Sequence, residues 1–452
     1  MVQVAVEQPR RHVPPRQVIA RRLPVAGVVA AVGFALIWIL FVAPLTGTLA
    51  TNFGSATDSP DHFLITLLDG TSFAAELFIV ASGFALIFGL MRVVNMAHGS
   101  FFLLGAYVAY DMQQYMANDS LDQFVSSSQI GVWDWVVPAI VASICIAALG
   151  LVIQQLFLRW NQGQDLRQAL ITIAISVIIA DQVIAHFHFG LAREITWPGF
   201  IDKFAALRVS FGWTLLIWLL ILSPILLVVR SFVSPKAGSV KEQLSVLKDP
   251  RNKTRQVLEL FGLLVAGALV VDLVLAFSAT VRDWIPAGTH LYSLAGVSYS
   301  VIKLVVILLG IAVGVALWLW LYRTRTGMVI RAGVDDQHMT SALGINIQRT
   351  FAIAFVVGSA LAAFGATVGA SQQNVANGSD GTWLLYALVV VVVGGMGSIF
   401  GAVAGSLLYG LVFTFAASYL PTSYTQYSVV FTFLLVALVL AFRPQGLFGR
   451  PG

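Results

Sequence analysis

Apolar runs of about twenty residues, separated by short polar stretches, dominate the chain from residue 24 onward. A hydrocarbon core about 30 Å thick takes about 20 such residues per helix. A spanning segment must satisfy its own backbone hydrogen bonds, so each run is predicted helical. Twelve runs qualify: 24–45, 73–91, 97–112, 133–157, 168–188, 212–230, 257–277, 298–322, 350–370, 383–395, 399–420 and 426–442. The predicted fold class is an all-α polytopic membrane protein with about 10–12 transmembrane helices, some broken by glycine. Two runs are irregular. Segment 97–112 is interrupted by polar and small residues. Segment 383–395 covers only about 20 Å at 1.5 Å per residue and ends in Gly394-Gly395, followed by Met396-Gly397-Ser398. A glycine-broken helix at membrane depth lines a cavity or translocation path. The same glycines also suit a tight helical hairpin with close packing. Both readings stand at this point.

Composition agrees with lipid as the main solvent. Of 452 residues, 58% are hydrophobic and only 10% charged, with a mean hydropathy of +0.87. A soluble domain carries about 25% charged residues, so a water-exposed enzyme, a nucleic-acid reader and a disordered regulator are excluded. The single cysteine, Cys145, sits in an apolar run and excludes a disulfide framework or a cysteine zinc site. A net charge of +5 could suggest nucleic acid, but basic residues also collect on cytoplasmic loops. Placing the amino terminus inside and alternating the spans puts 21 of the 26 Lys and Arg residues on inner segments. Arg193, Lys203, Arg208 and Arg282 fall outside, and Lys303 lies just within a helix end. That sorting follows the positive-inside bias and predicts a multi-pass membrane protein with both termini cytoplasmic. The arginine-rich start and its apolar run resemble a secretory signal, but Val25 to Leu45 exceeds the usual 7–15-residue core. A retained signal-anchor helix is the expectation, ahead of a cleaved signal or an organelle transit peptide.

The chemistry that is missing narrows the field further. None of the six lysines follows a glycine, so there is no P-loop to cradle ATP. Neither a His-Glu-x-x-His pattern, nor paired metal-ligand spacing, nor a Gly-x-Ser-x-Gly elbow occurs. The chain is expected to be no enzyme, with no catalytic residues and no metal. Ionisable residues inside spans would mark an ion-driven carrier; here they are Glu76, Asp181, His186, His188, Asp272 and Lys303. Each charge costs about 2.5–3.5 kcal/mol at a helix centre, and most sit where snorkelling satisfies them. Asp181 is the deepest, and a pair with a histidine or with Lys303 is expected.

Two cytoplasmic features resemble docking machinery. Residues 323–349 begin and end basic and are too long for a simple connector. From Asp335 and Asp336 to Leu343 they can form a short helix with Met339, Ala342 and Leu343 on one face. Gly344 supplies its stop, with Ile345 following. Such a helix suits either a groove on a partner protein or the lipid headgroups. The second feature, RVVNMAHGSFFLLGAY (92–107), places Arg92, Asn95 and His98 between apolar runs, with Gly99 and Ser100 opening the next helix. Asn95 and His98 could contact substrate or act as polar glue between helices. MGSIFGAVAG (396–405) has a similar Gly-Ser-x-Phe start and forms a weak internal echo.

Together these residues resemble the permease of the branched-chain amino-acid class of ABC importers, in its LivH-like form. Four blocks carry the match: GFALIFGLMRVVNMAHGSFFLLGAYVAY (83–110), the 323–349 stretch with FVVGSALAAFGATVGA, VVVVGGMGSIFGAVAGSLLYGL (390–411), and RPQGLFG (443–449). The Asn-x-Ala-His-Gly element favours the LivH-like over the LivM-like subunit. The resemblance implies a second LivM-like permease, two cytoplasmic ATPases holding the ATP and Mg, and a periplasmic binding protein, with no cofactor in this chain and no nucleic acid as partner. It also implies that the 335–346 helix is the coupling helix, and leaves Asn95, His98, Gly99, Gly394, Gly395 and Gly397 as pathway or broken-helix candidates. A urea or short-amide permease of the same family is the alternative, and an ion-coupled secondary transporter a remoter one. Segment 1–62, a basic stretch with an extra anchor, and an insertion at about 231–297 are expected additions to a permease domain at 63–452.

Overall fold

The structure is a computed structural model; it describes residues 60–91, 94–118, 130–161, 163–186, 194–198, 206–209, 297–419 and 428–448. The expected spans 24–45, 212–230 and 257–277, the segment 1–59 and nearly all of the 231–297 insertion lie outside these residues. The described elements, in chain order, begin with α1 (Pro60–Met91), α2 (His98–Asn118), α3 (Trp133–Ile153) and α4 (Asp165–His186). Two strands follow, β1 (Ala206–Val209) and β2 (Val297–Ser300), and then α5 (Val301–Arg323), α6 (Arg325–Asp335) and α7 (Gln337–Ala342). Last come α8 (Ile347–Ala370), α9 (Ser379–Gly394), α10 (Ile399–Tyr419) and α11 (Ser428–Phe442). Six helices among the described residues are long and apolar enough to cross a membrane, and two shorter apolar helices accompany them. With helices filling almost all of the described chain, the protein is an all-α polytopic membrane protein.

The first span starts earlier than its apolar run. Asp69-Gly70-Thr71-Ser72 marks a polar break, yet α1 runs straight through it. The polar groups are met locally: Thr71 Oγ1 donates to the Leu67 carbonyl at 2.7 Å and Ser72 Oγ to the Lys303 carbonyl at 3.3 Å. After Ile153, α3 widens into a π-turn over Gln154–Leu158 and tightens to a 3₁₀ turn over Arg159–Asn161.

At the centre, α1 and α8 run antiparallel. Gly83 and Ile87 meet Gly358, Val80 meets Gly365, and Glu76 meets Gly369. Small residues let these backbones approach closely. Around this pair the bundle is arranged in two matching halves. Helix α10 packs antiparallel on α1, through Gly397 on Gly89 and Gly410 on Gly70 and Ala74. Helix α3 packs antiparallel on α8 in the same manner, through Gly150 on Ser359 and Trp135 on Ser371. Helix α2 runs parallel to α8, with Phe101 against Phe355 and Gly105 against Ala363. Helix α9 runs alongside α1, from Trp383 at Phe73 to its end near Gly89. The succession α1-α2-α3 is therefore repeated, upside down, by α8-α9-α10.

The helices α2 (21 residues) and α9 (16 residues) both begin inside the bundle. By His98 the chain already stands against Val80, where His98 Nε2 lies 3.1 Å from the Val80 carbonyl oxygen. Val80 is about 16 Å from Met91 and about 22 Å from Ile65 at 1.5 Å per residue. Thus α2 starts midway along α1. Helix α9 starts at the same level, because Gly99 abuts the backbone of Asp380 and the Phe102 ring stacks on Trp383 at 4.3 Å. The connectors before both helices turn back into the bundle rather than lying across its ends. Their sequences match: Asn95-Met96-Ala97-His98-Gly99-Ser100 and Asn374-Val375-Ala376-Asn377-Gly378-Ser379 share Asn, Ala, Gly and Ser, and each Asn stands four residues beyond its preceding helix. The counterpart of the first junction is thus 374–379. The 396–405 echo suggested by sequence instead falls on the turn into α10, where glycine and serine serve a hairpin.

Candidate coupling and transport site

The 335–345 segment, expected from sequence to dock, lies at the Met91 end of the bundle. A single helix from Asp335 to Leu343 is not what forms. Asp335 ends α6, Asp336 is extended (φ −152°), and its carboxylate accepts from Met339 N at 3.0 Å, capping the separate six-residue α7. Aspartate favours that cap position over a helix interior because its short side chain satisfies an orphan amide. Thr340 Oγ1 adds a 2.6 Å bond to the Asp336 carbonyl. Gly344, at φ +81°, stops the turn, a conformation that L side chains resist. Met339 is 62% exposed, Leu343 is 75% exposed, and Ala342 is exposed beside them. Ile345 is half-buried, and Asn346 caps α8 by accepting from Arg349 N.

This segment is tied to the bundle on its other side. Gln337 Nε2 donates to the Leu90 carbonyl, and Gly333 sits against the Leu90 side chain. Gly327, Ile330 and Gly333 turn the buried face of α6 inward, with Ile330 in a cluster with Leu86, Leu90, Leu321, Phe351 and Ala354.

The broken-helix glycines sit next to this anchor. Helix α9 ends at Gly394; Gly395 and Gly397 then adopt φ of +107° and +74°. Gly394 abuts the Gly401 carbonyl, Gly405 the Val390 carbonyl, and Gly397 packs on Gly89 with Val334 beside it. The α9–α10 corner is therefore a close-packed hairpin, of the two arrangements the glycines allowed. The freed carbonyls of α9 are met by the RPQGLFG segment. Leu447 N donates to Val393 O at 2.9 Å and Phe448 N to Gly394 O at 2.8 Å, while Gly446 fits against Gly395. Arg443 holds this strap by donating to the Leu447 carbonyl.

Asn95, His98 and Gly99 are interior. Asn95 is 3% exposed and His98 fully buried. The His98 ring packs edge-on to Phe84, and Asn95 Oδ1 accepts from Ala97 N. The neighbouring Met96 N and Ser100 Oγ bond Thr172 and Ser176 of α4. Here the junction joins α1, α2 and α4 as interhelical polar glue.

The expected Asp181–Lys303 pair is not formed. Lys303 Nζ lies 2.7 Å from Asp69 Oδ1, and the Tyr299 hydroxyl donates to the same oxygen at 2.8 Å. Asp181 is exposed on α4. Helix α1 begins early enough to carry Asp69 beside the start of α5, so the lysine finds its partner there. Burial and the adjacent Asp69 carboxylate push the Tyr299 phenol up, so it remains a donor. Its strand β2 pairs antiparallel with β1, Leu207 opposite Tyr299.

Sequence reasoning missed a polar clamp where the start of α3 meets the end of α8. Trp197 Nε1 donates to the Ser371 carbonyl at 2.7 Å and Trp135 Nε1 to the Ser371 hydroxyl at 3.0 Å, with the two indoles stacked at 4.9 Å. Ile195 N caps the Ala370 carbonyl. Gln113 binds both backbone groups of Thr196, through Nε2 at 2.8 Å and Oε1 at 2.9 Å. Glu76, buried in α1, accepts from Gln373 at 3.3 Å. Only the Trp-Pro pair at 197–198 marked this loop in the sequence.

Comparison with known proteins agrees with this architecture. The family model described as "Branched-chain amino acid transport system / permease component" matches residues 66–237 and 251–440. The high-affinity branched-chain amino acid transport system permease protein BraD of Pseudomonas aeruginosa is 26% identical over 391 residues, covering 86% of this chain and 97% of that protein. The corresponding LivH permease of Escherichia coli is 38% identical over 129 residues, 28% of this chain and 41% of LivH. Its LivM permease is 29% identical over 115 residues, 25% of this chain and 26% of LivM. No solved structure gives a significant match. With the family model covering most of the chain and the bundle built from apolar spans, this protein belongs to the permease-component family of branched-chain amino acid transport systems.

Proposed function

We propose that this chain is the membrane-spanning permease subunit of an ATP-driven importer for branched-chain, hydrophobic amino acids in a bacterial inner membrane. The observation that carries the reading is the α6–α7 segment: Met339 and Leu343 project outward while Gln337 grips the end of α1. An exposed apolar knob on a capped turn suits a groove on a cytoplasmic ATPase. Movement of that knob would pull on Leu90 through Gln337, and on the α9–α10 corner through Val334 and Gly397. The central α1–α8 pair joins that corner to the far end of the bundle.

Under this reading the Met91 end is cytoplasmic, as the basic loops require, and both termini lie on that side. ATP and Mg belong to two ATPase partners, and a periplasmic binding protein delivers substrate to the Pro60 end. A second, LivM-like permease completes the path. Copurification of the protein with two ATPase subunits tests the assembly. Binding-protein assays with leucine and with urea separate the amino-acid reading from a short-amide one. Active transport by the purified chain alone would overturn the ATP-driven reading.

A further inference from the structure

The two Asn-x-Ala-x-Gly-Ser junctions have opposite environments. In the first, Asn95, Ala97, His98 and Ser100 are all buried. In the second, Asn374, Asn377 and Gly378 are exposed, as are Gln373, Gly381 and Thr382 around them. Nothing lies within 4 Å of the positions a side chain would take at Gly378 or Gly381. Yet both junctions stand at one level, since Gly99 abuts Asp380 and His98 meets Val80 midway along α1. Non-helical backbone and amide side chains at that depth cannot face hydrocarbon, because their polar groups would lose every hydrogen-bonding partner. They are tolerated where they line a water-filled cavity. Lipid does suit the exposed faces elsewhere, such as Val177 and Ile178 on α4 or Leu308 on α5, which are apolar.

We propose that the exposed junction from Gln373 to Thr382 lines the hydrated path of the solute at mid-membrane, while its buried twin at 95–100 is the structural copy that locks the inverted halves together. This assignment rests on the permease reading and adds the surface along which the solute passes. It transfers the pathway role from Asn95, His98 and Gly99 to Asn374, Asn377, Ser379 and Thr382. Duplication accounts for the sequence match, and α4, bonded to the first copy through Thr172 and Ser176, accounts for why that copy is closed while the second is exposed. The exposed amides and hydroxyls offer hydrogen bonds to the polar end of an amino acid, with the Leu385 side chain, 48% exposed, one turn below for its apolar end.

Single cysteines test the proposal in the assembled transporter. In a Cys145→Ala background, Asn377→Cys and Thr382→Cys are compared with Ser100→Cys at the buried twin and Ile178→Cys on the lipid face. The probe is a charged, membrane-impermeant methanethiosulfonate. Because only a hydrated thiolate reacts, cysteines at 377 and 382 should label at least about 10-fold faster than those at 100 and 178, and leucine with its binding protein should slow that labelling. Labelling at both 377 and 382 no faster than at 178, with and without ATP, would overturn the proposal. Leucine uptake by the Cys145→Ala parent is measured separately. Loss of ATP dependence there would sink the permease reading, whereas the labelling pattern bears on the lining alone.

Discussion

The side-chain amide of Gln337 donates to the main-chain carbonyl of Leu90, so the capped turn that presents Leu343 outward is fastened to the last turn of α1, the longest helix among the described residues. A carbonyl in the final turn of a helix has no partner within the helix, which leaves Leu90 free to accept. Gln337→Ala removes a bond with a net value of about 1 kcal/mol. Leucine uptake per ATP hydrolysed should fall about five-fold, the change expected when about 1 kcal/mol of coupling is lost. Stoichiometry in proteoliposomes measures it, and an unchanged ratio would show that the bond transmits nothing.

Leu343→Asp addresses the contact on the other side of the same turn. The side chain is 75% exposed, so folding should tolerate the change to within about 0.5 kcal/mol. A buried, unpaired carboxylate in a partner's apolar groove should instead cost several kcal/mol. Membrane insertion and melting temperature should stay as in the parent, while ATPase copurification and uptake are lost. Normal uptake would remove the docking assignment.

The Lys303–Asp69 pair is partly solvated, with side chains 37% and 28% exposed. Its pairwise contribution should therefore be about 0.2–1 kcal/mol and decline with salt. A double-mutant cycle of Asp69→Asn and Lys303→Met, read by thermal melting in detergent, measures it. Asp181→Asn in the Lys303→Met background should show no coupling. Coupling between Asp181 and Lys303 would contradict the assigned partner.

Gly405 faces the Val390 carbonyl across the α9–α10 hairpin with no room for a Cβ. Overpacking of this kind costs about 1–3 kcal/mol or more, so Gly405→Val should lower the melting temperature sharply or abolish folding. Gly381→Ala, in open space near the start of α9, should be neutral or gain up to about 1 kcal/mol in helix propensity. Equal destabilisation by both would contradict the close-packed corner.

Much of the fold was legible in the sequence because apolar length is a local property. The runs at 133–157, 168–188, 298–322, 350–370, 399–420 and 426–442 each coincide with a helix to within a few residues or one extra turn. The amphipathic pattern around Met339 and Leu343 also located the exposed turn, although the N-cap preference of Asp336 divided it from α6. Long-range pairing stayed hidden. The depth of His98 depends on Val80, that of Asp380 on Gly99, and the partner of Lys303 on a polar tetrad that reads as a loop until its hydroxyls bond to backbone carbonyls. Inverted repetition was hidden for the same reason. Six-residue similarity between 95–100 and 374–379 gains meaning only when both segments are seen to open helices at one level inside the bundle.

The most direct measurement for the account as a whole is uptake of labelled leucine into proteoliposomes containing this chain, its second permease and two ATPase subunits, with the binding protein outside and ATP inside. The account predicts accumulation above the external concentration that stops when ATP is omitted and is insensitive to collapse of ion gradients. Accumulation without ATP, driven by a gradient and supported by this chain alone, would contradict it.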